Sequence, residues 1–145
     1  MNSWQLKAYR RFGSEKSIAR EWYHEVGYEV WAVFAWHMDY LCGQTADKWS
    51  RPWAGKLHGS KRPSRKGCSG LFEIIFEVDN VQYRPLGYFS GRMEFTFLFF
   101  AKEAGDEFEP PTACEIAQRR RKELEEGKGF SSVFVIAENI GEEAP

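Results

Sequence analysis

From residue 71 to residue 101 the chain reads as three short strands joined by two tight turns, and no other stretch restricts the fold as strongly. Residues 71–78 set Phe72, Ile74, Phe76 and Val78 on one face against Glu73, Ile75 and Glu77 on the other. That is the period of two expected of a strand with unlike faces. Asp79-Asn80 turns the chain, residues 81–89 bring Gln82, Arg84, Leu86 and Tyr88 into phase, and Ser90-Gly91 turns it again. Residues 93–101 direct Met93, Phe95, Phe97 and Phe99 inward, with Glu94, Thr96, Leu98 and Phe100 opposite. Pro85 has no N–H to give to a ladder, so a bulge or local edge is expected there. The product is an antiparallel meander with one apolar face to cover.

The cover comes from the preceding segment. Residues 4–12 alternate as a strand and stop at Gly13, after which Ser14 or Ser17 caps a helix. Ile18, Trp22 and Val26 recur at helical spacing before Gly27. A second helix runs from about residue 28 to 42 with Trp31, Phe34, Ala35, Met38 and Leu41 as its stripe. Helices joined this tightly form a hairpin, and its Trp22, Trp31, Phe34 and Met38 should pack on Phe72, Ile74, Phe76, Phe95, Phe97 and Phe99. Residues 45–70 read as a loop anchored by Trp49, Trp53 and Leu57. After Pro110-Pro111, Thr112 and Glu115 suggest a capping box opening a helix that stops at Gly127. Its thin stripe of Ile116, Ala117 and Leu124 places it on the surface with its arginines exposed. The expected architecture is one α+β domain over residues 1–127, followed by an extension over 128–145 in which residues 133–136 can add a strand.

At 145 residues, with 43% apolar and 17% aromatic side chains, the chain can bury a core without metal or disulfide staples. Cys42, Cys68 and Cys114 are odd in number and widely spaced, which reads as reduced thiols in a cytoplasmic protein. No secretory leader or membrane-length apolar run is present. His24-Glu25 lacks a second histidine at metalloprotease spacing, and no glycine pattern cradles a nucleotide phosphate. No metal, nucleotide or other cofactor is therefore expected.

Net charge is only −1, yet its distribution is uneven. Between residues 48 and 66 every charged side chain is a cation: Lys48, Arg51, Lys56, Lys61, Arg62, Arg65 and Lys66. A second cluster spans Arg119-Arg120-Arg121-Lys122, and acids gather elsewhere. Local positive fields of this kind attract polyanions even when the whole molecule is near neutral.

Taken in order, Leu57, Gly70-Leu71-Phe72-Glu73-Ile74, Tyr83-Arg84, the Phe-rich run from Phe95 to Lys102, Pro110-Pro111, and Ala117 with Arg119-Arg120-Arg121 resemble the RelE/ParE toxin superfamily, in its HigB-like, phage-derived branch. The resemblance spans residues 4–127. It implies a RelE-like fold: amino-terminal strand, helical hairpin, antiparallel meander and basic closing helix. It also implies a type II toxin that cleaves messenger RNA on the ribosome and is held in check by an antitoxin with a helix-turn-helix domain. The chain departs from the pattern at Ile75, where the family often carries an arginine, and at Glu103, where it commonly carries a second lysine. It is also less basic than such toxins usually are. The alternative on the same fold is a non-catalytic, phage-derived interaction protein.

Metal-independent cleavage by 2′-hydroxyl attack needs a base, a cation for the charge growing on phosphorus, and a donor to the leaving oxygen. Arg84 is the candidate cation, since its planar fork matches phosphate oxygens. Its strand phase puts it on the open face of the sheet near Tyr88 and Lys102. Tyr88 is a candidate for base stacking or proton donation, Lys102 for phosphate contact or base, and Glu73 for base. Each has a structural counterpart: an Arg84 ion pair to Glu73 or Glu77, an amphipathic rim tyrosine, a solvated lysine. Lys56, Lys61, Arg62, Arg65, Lys66 and Arg119 are the candidates for holding an RNA backbone without reading its sequence.

Overall fold

The computed structural model describes residues 4–59 and 65–135. Strand β1 (Gln5–Arg10) leads into helices α1 (Ile18–Val26) and α2 (Tyr28–Cys42). A 3-10 turn (Ala46–Lys48) and strand β2 (Ala54–Lys56) precede the meander of β3 (Phe72–Ile74), β4 (Phe76–Val78), β5 (Val81–Gly91) and β6 (Glu94–Ala104). Strand β7 (Glu107–Glu109), helix α3 (Ala113–Glu125) and strand β8 (Phe130–Phe134) follow. The fold is α+β, with one mixed sheet in the order β2-β3-β5-β6-β1-β8; β4 also pairs with β5, and β7 with β6. β1 runs parallel to β6 and antiparallel to β8. The added strand thus exists, beginning three residues earlier than the sequence suggests, while Ile136 lies outside the described residues.

Ser17 caps α1, its hydroxyl accepting from the Arg20 N–H. Gly27 alone joins the two helices at φ 88°, a conformation that favours glycine. Together they bury Trp22, Trp31, Phe34 and Met38 against Ile74, Phe76, Tyr83, Phe95 and Phe97. Trp22 is the hub. Its ring meets those of Trp31, Phe34, Phe76, Tyr83 and Phe100 with centroids 4.5 to 6.3 Å apart, a range in which aromatic quadrupoles attract.

Two irregularities govern where side chains point. β3 and β4 are one strand interrupted at Ile75: Glu73 pairs with Leu86 and Phe76 with Tyr83, so the gap faces Arg84 and Pro85. The proline cannot donate there, and the Ile75 N–H donates to the Trp53 carbonyl instead, at 3.0 Å. The second irregularity is a bulge in β6. Leu86 faces Phe99 but Gly87 faces Phe97, so β6 carries one extra residue and its phase reverses. Phe95, Phe97 and Phe100 turn to the helices, whereas Leu98 and Ala101 turn away. Phe99, expected against the hairpin, packs partly on the opposite core. Gly87 permits this close approach, since a Cβ there would lie 2.4 Å from the Thr96 carbonyl oxygen.

The second face is not open. α3, β7 and the loop before β3 enclose a smaller core of Leu57, Cys68, Leu71, Leu86, Tyr88, Leu98, Phe108 and Ala117. Cys68 and Cys114 form a buried disulfide across 46 residues of sequence, which corrects the reduced-thiol expectation for that pair; Cys42 is buried and lies outside the disulfide. Cysteine count and spacing could not reveal the pair, because only the docking of α3 brings its first turn to this loop. Thr112 starts α3 without a side-chain cap bond, so the capping box is absent. The arginines are not simply exposed either. Arg120 donates to the Leu98 carbonyl and lies over the Tyr9 ring, and Arg121 donates to the Gly70 carbonyl and lies over Tyr88. Among the described residues no helix is long and apolar enough to cross a membrane.

A cationic groove as candidate functional site

The period of two that sends Phe72 and Ile74 toward the helices sends Glu73 to the other face, where Arg84 and Glu103 also emerge. Arg51 arrives from the segment before β2, and Arg65 from the loop before β3. With Lys56, His58 and Ile75 they line a groove of about 620 Å³. Four of the sequence candidates (Glu73, Arg84, Lys56 and Arg65) therefore share one site.

Its floor is a chain of alternating charges. Arg51 Nη2 lies 3.1 Å from Glu73 Oε2, while Arg65 Nη1 and Arg84 Nε approach Glu73 Oε1 at 3.6 and 3.8 Å. Glu103 joins the other ends, pairing with Arg84 Nη2 at 3.2 Å and with Arg65. Glu73 is 3% exposed, and among the described residues nothing donates a hydrogen bond to its Oε1. Arg65 lies over the Phe108 ring at 3.8 Å, a cation–π contact that fixes its plane.

Arg84 and Arg51 behave differently. Arg84 donates through Nη1 to the Phe76 and Tyr83 carbonyls and through Nη2 to Gln82 and Glu103. It is 8% exposed, and its fork is spent on the protein. The interrupted strand explains this, because the gap beside Arg84 leaves carbonyls for it to satisfy. Among the described residues Arg51 contacts one carboxylate, and its side chain is 62% exposed. Lys56 and His58 are exposed on the same rim. The rim thus offers cations to an incoming anion, and the floor holds the geometry.

The other candidates lie elsewhere. Tyr88 is buried beneath α3, where loss of solvent, then Glu125, raise its phenol pKa above the ordinary value. It presents no ring face to a base. Lys102 pairs across the strands with Tyr83, on the helix-hairpin face, and opens into a separate cavity of about 660 Å³ beside Trp22, Phe100 and Glu109. The β6 bulge puts it there. The expected grouping of Arg84, Tyr88 and Lys102 is therefore not formed. Lys66 is exposed next to Arg65, and Arg119 is exposed on α3; Lys61 and Arg62 lie outside the described residues. Sequence reasoning missed Arg51 and Glu103 as site members. Arg51 stood within the cation run. Glu103 was visible only as a reversed charge, and it is that reversal which neutralises Arg84 and Arg65.

Among the described residues no group of three or more His, Cys, Asp or Glu side chains is placed to hold a metal ion. Compared with protein-family models, with curated proteins and with solved structures, the chain matched none.

Proposed function

We propose that the chain is a RelE/ParE-like, toxin-like protein that binds the backbone of single-stranded RNA in this groove, in the setting of the ribosome, with a helix-turn-helix antitoxin as its protein partner. One observation supports the reading above the others: four cations and two carboxylates share a single groove, so a near-neutral protein concentrates positive charge in one place. Arg51 and Lys56 take the phosphates. Arg51 is the cation placed to turn outward, because its side chain is 62% exposed, while Arg65 and Arg84 stay beside the buried Glu73 carboxylate.

Binding without cleavage is the better-supported form. Tyr88 and Lys102, the expected donor and second cation, do not reach the groove, and Glu103 occupies the Arg84 fork. A cleaving form has one observation in its favour. Glu73 keeps a buried carboxylate oxygen that receives no hydrogen bond from the described residues, set beside two guanidinium groups. Cleavage by this route requires that oxygen to be uncovered, so that it meets a 2′-hydroxyl while the cations face the phosphate.

Filter binding of a labelled single strand across a salt series tests the reading. Two to three phosphate contacts give a log–log slope of about −1.4 to −2.1, and replacing Arg51 and Lys56 with serine flattens it. No retention at low salt removes the isolated RNA-binding reading. Induced expression in bacteria, followed by growth and messenger integrity, separates binding from cleavage.

A further inference from the structure

The most exposed large aromatic side chain on α2 reaches the segment that supplies Arg51 to this groove. Trp36 is 66% exposed and Tyr40, one helical turn on, is 41% exposed; at that spacing they share a face. Trp53 joins them from the loop, stacked on Tyr40 with centroids 4.1 Å apart and 6.0 Å from Trp36. Exposed aromatic clusters of this kind mark interaction surfaces. The cluster is also braced. His37 Nε2 donates to the Trp53 carbonyl at 2.7 Å, that same carbonyl accepts from the Ile75 N–H, and the His37 ring packs on the Trp53 ring.

Segment 51–54 is the wall common to both features. It gives Arg51 to the groove and, two residues on, Trp53 to the cluster. Every charged residue between 48 and 59 is a cation. One acid of α2, Asp39, is exposed three residues from Trp36 and so borders the same face, while the segment that carries Trp53 supplies only cations. Cations that track a phosphate backbone, next to an exposed aromatic face such as that of Trp36, are the two components of sequence-tolerant recognition of single strands.

We propose that Trp36, Tyr40 and Trp53 form a base-stacking platform for single-stranded RNA whose phosphates lie in the Arg51–Lys56 groove. The inference rests on the groove reading above and extends it from backbone contact to base contact. Arg51 and Trp53 belong to one turn, closed by the Trp53 N–H on the Ser50 carbonyl at 3.0 Å, so cation and ring are held close together. Stacking adds affinity without demanding a particular base, since every base has a π face.

The test uses the full chain and two labelled probes, an oligouridylate and an abasic ribose-phosphate oligomer of equal length, followed by anisotropy. Trp36→Ala should weaken oligouridylate binding about five- to tenfold, the scale of one lost stacking contact, and leave the abasic oligomer and the salt slope unchanged. Trp36→Phe, which keeps a π face, should restore most of the affinity. Arg51→Ser with Lys56→Ser should weaken both probes alike. If those two changes alter neither probe, the groove reading fails separately from the platform. Unchanged oligouridylate affinity in both Trp36→Ala and Tyr40→Ala overturns the platform and assigns this face to a protein partner. Equal losses on both probes, or no binding of either by the unaltered chain, overturn it as well.

Discussion

The two faces of the sheet are built on different principles. The face toward α1 and α2 is closed by interlocked rings around Trp22, with Trp31, Phe34, Phe95 and Phe97 almost fully buried. The face toward α3 has fewer and smaller apolar groups. It is held by a disulfide, by arginines bonded to carbonyls, and by the Glu73–Arg84–Glu103 network. A face that carries charge for binding cannot also bury a continuous aromatic core, so covalent and charged ties replace apolar area. Stability and phosphate binding in the groove should therefore separate on the first face and couple on the second.

The largest effect should come from Phe97→Ala, which empties a fully buried position and should cost about 4 to 5 kcal/mol in denaturant unfolding. Any folded remainder should keep its RNA affinity, and a selective loss of binding would break the contrast. Removing both Cys68 and Cys114 by alanine should cost up to about 4 kcal/mol, from the chain entropy of a 46-residue closure. It should also weaken RNA retention, because Cys68 anchors the loop that brings Arg65 to the groove. Unaltered retention would show that Arg65 needs no such anchor.

Arg84→Ala sharpens the same comparison. The sequence reading placed Arg84 on an open surface, where its loss would cost about 1 kcal/mol or less. Buried between Glu73 and Glu103, it should instead cost about 3 kcal/mol, since removal leaves buried carboxylates without a partner. A melting temperature close to that of the unaltered protein would return Arg84 to the surface reading. Binding measured on the folded fraction then tells whether the network acts on RNA directly or by shaping the groove.

A smaller effect is expected from acid. Burial lowers the His37 pKa below the ordinary histidine value, opposed by its bond to the Trp53 carbonyl. The unfolded chain therefore binds a proton at higher pH than the native one. Stability from this group is present above the unfolded pKa of about 6.5 and declines as pH falls toward and through the lowered folded value, by at most about 1.4 kcal/mol per pH unit. His37→Gln should remove that component of the pH dependence, and an unchanged profile would exclude it. The smallest change belongs to Lys56→Ser, expected within about 0.5 kcal/mol in stability yet measurable in the salt slope of binding. A large destabilisation would mean that the rim is structural after all.

Part of the site was legible before any coordinates, for a local reason. Glu73 and Arg84 fall on one face because a strand's period is two, and Lys56 and Arg65 belong to a run without acids. Tyr88 has the same phase as Arg84, and the sequence reading took that face as open. It is covered because α3 docks there through Arg120, Arg121 and the disulfide, contacts between residues tens of positions apart. Lys102 was misplaced by a single residue. One extra position in β6 reverses the phase beyond Phe97, and nothing in an alternating run marks where such a bulge will fall.

What the sequence by itself determined is whatever depends on near neighbours: the strands from their alternation, α1 and α2 from their stripes, the turns at Asp79-Asn80 and Gly27, and the local surplus of cations. Tertiary structure alone decided which face each charge would share and with whom. Arg51 meets Glu73 across 22 residues, Arg65 meets Glu103 across 38, and Cys68 meets Cys114 across 46. Such pairings are chosen when the sheet closes and its two faces are covered, because only then is a carboxylate withdrawn from water and made to find its cation.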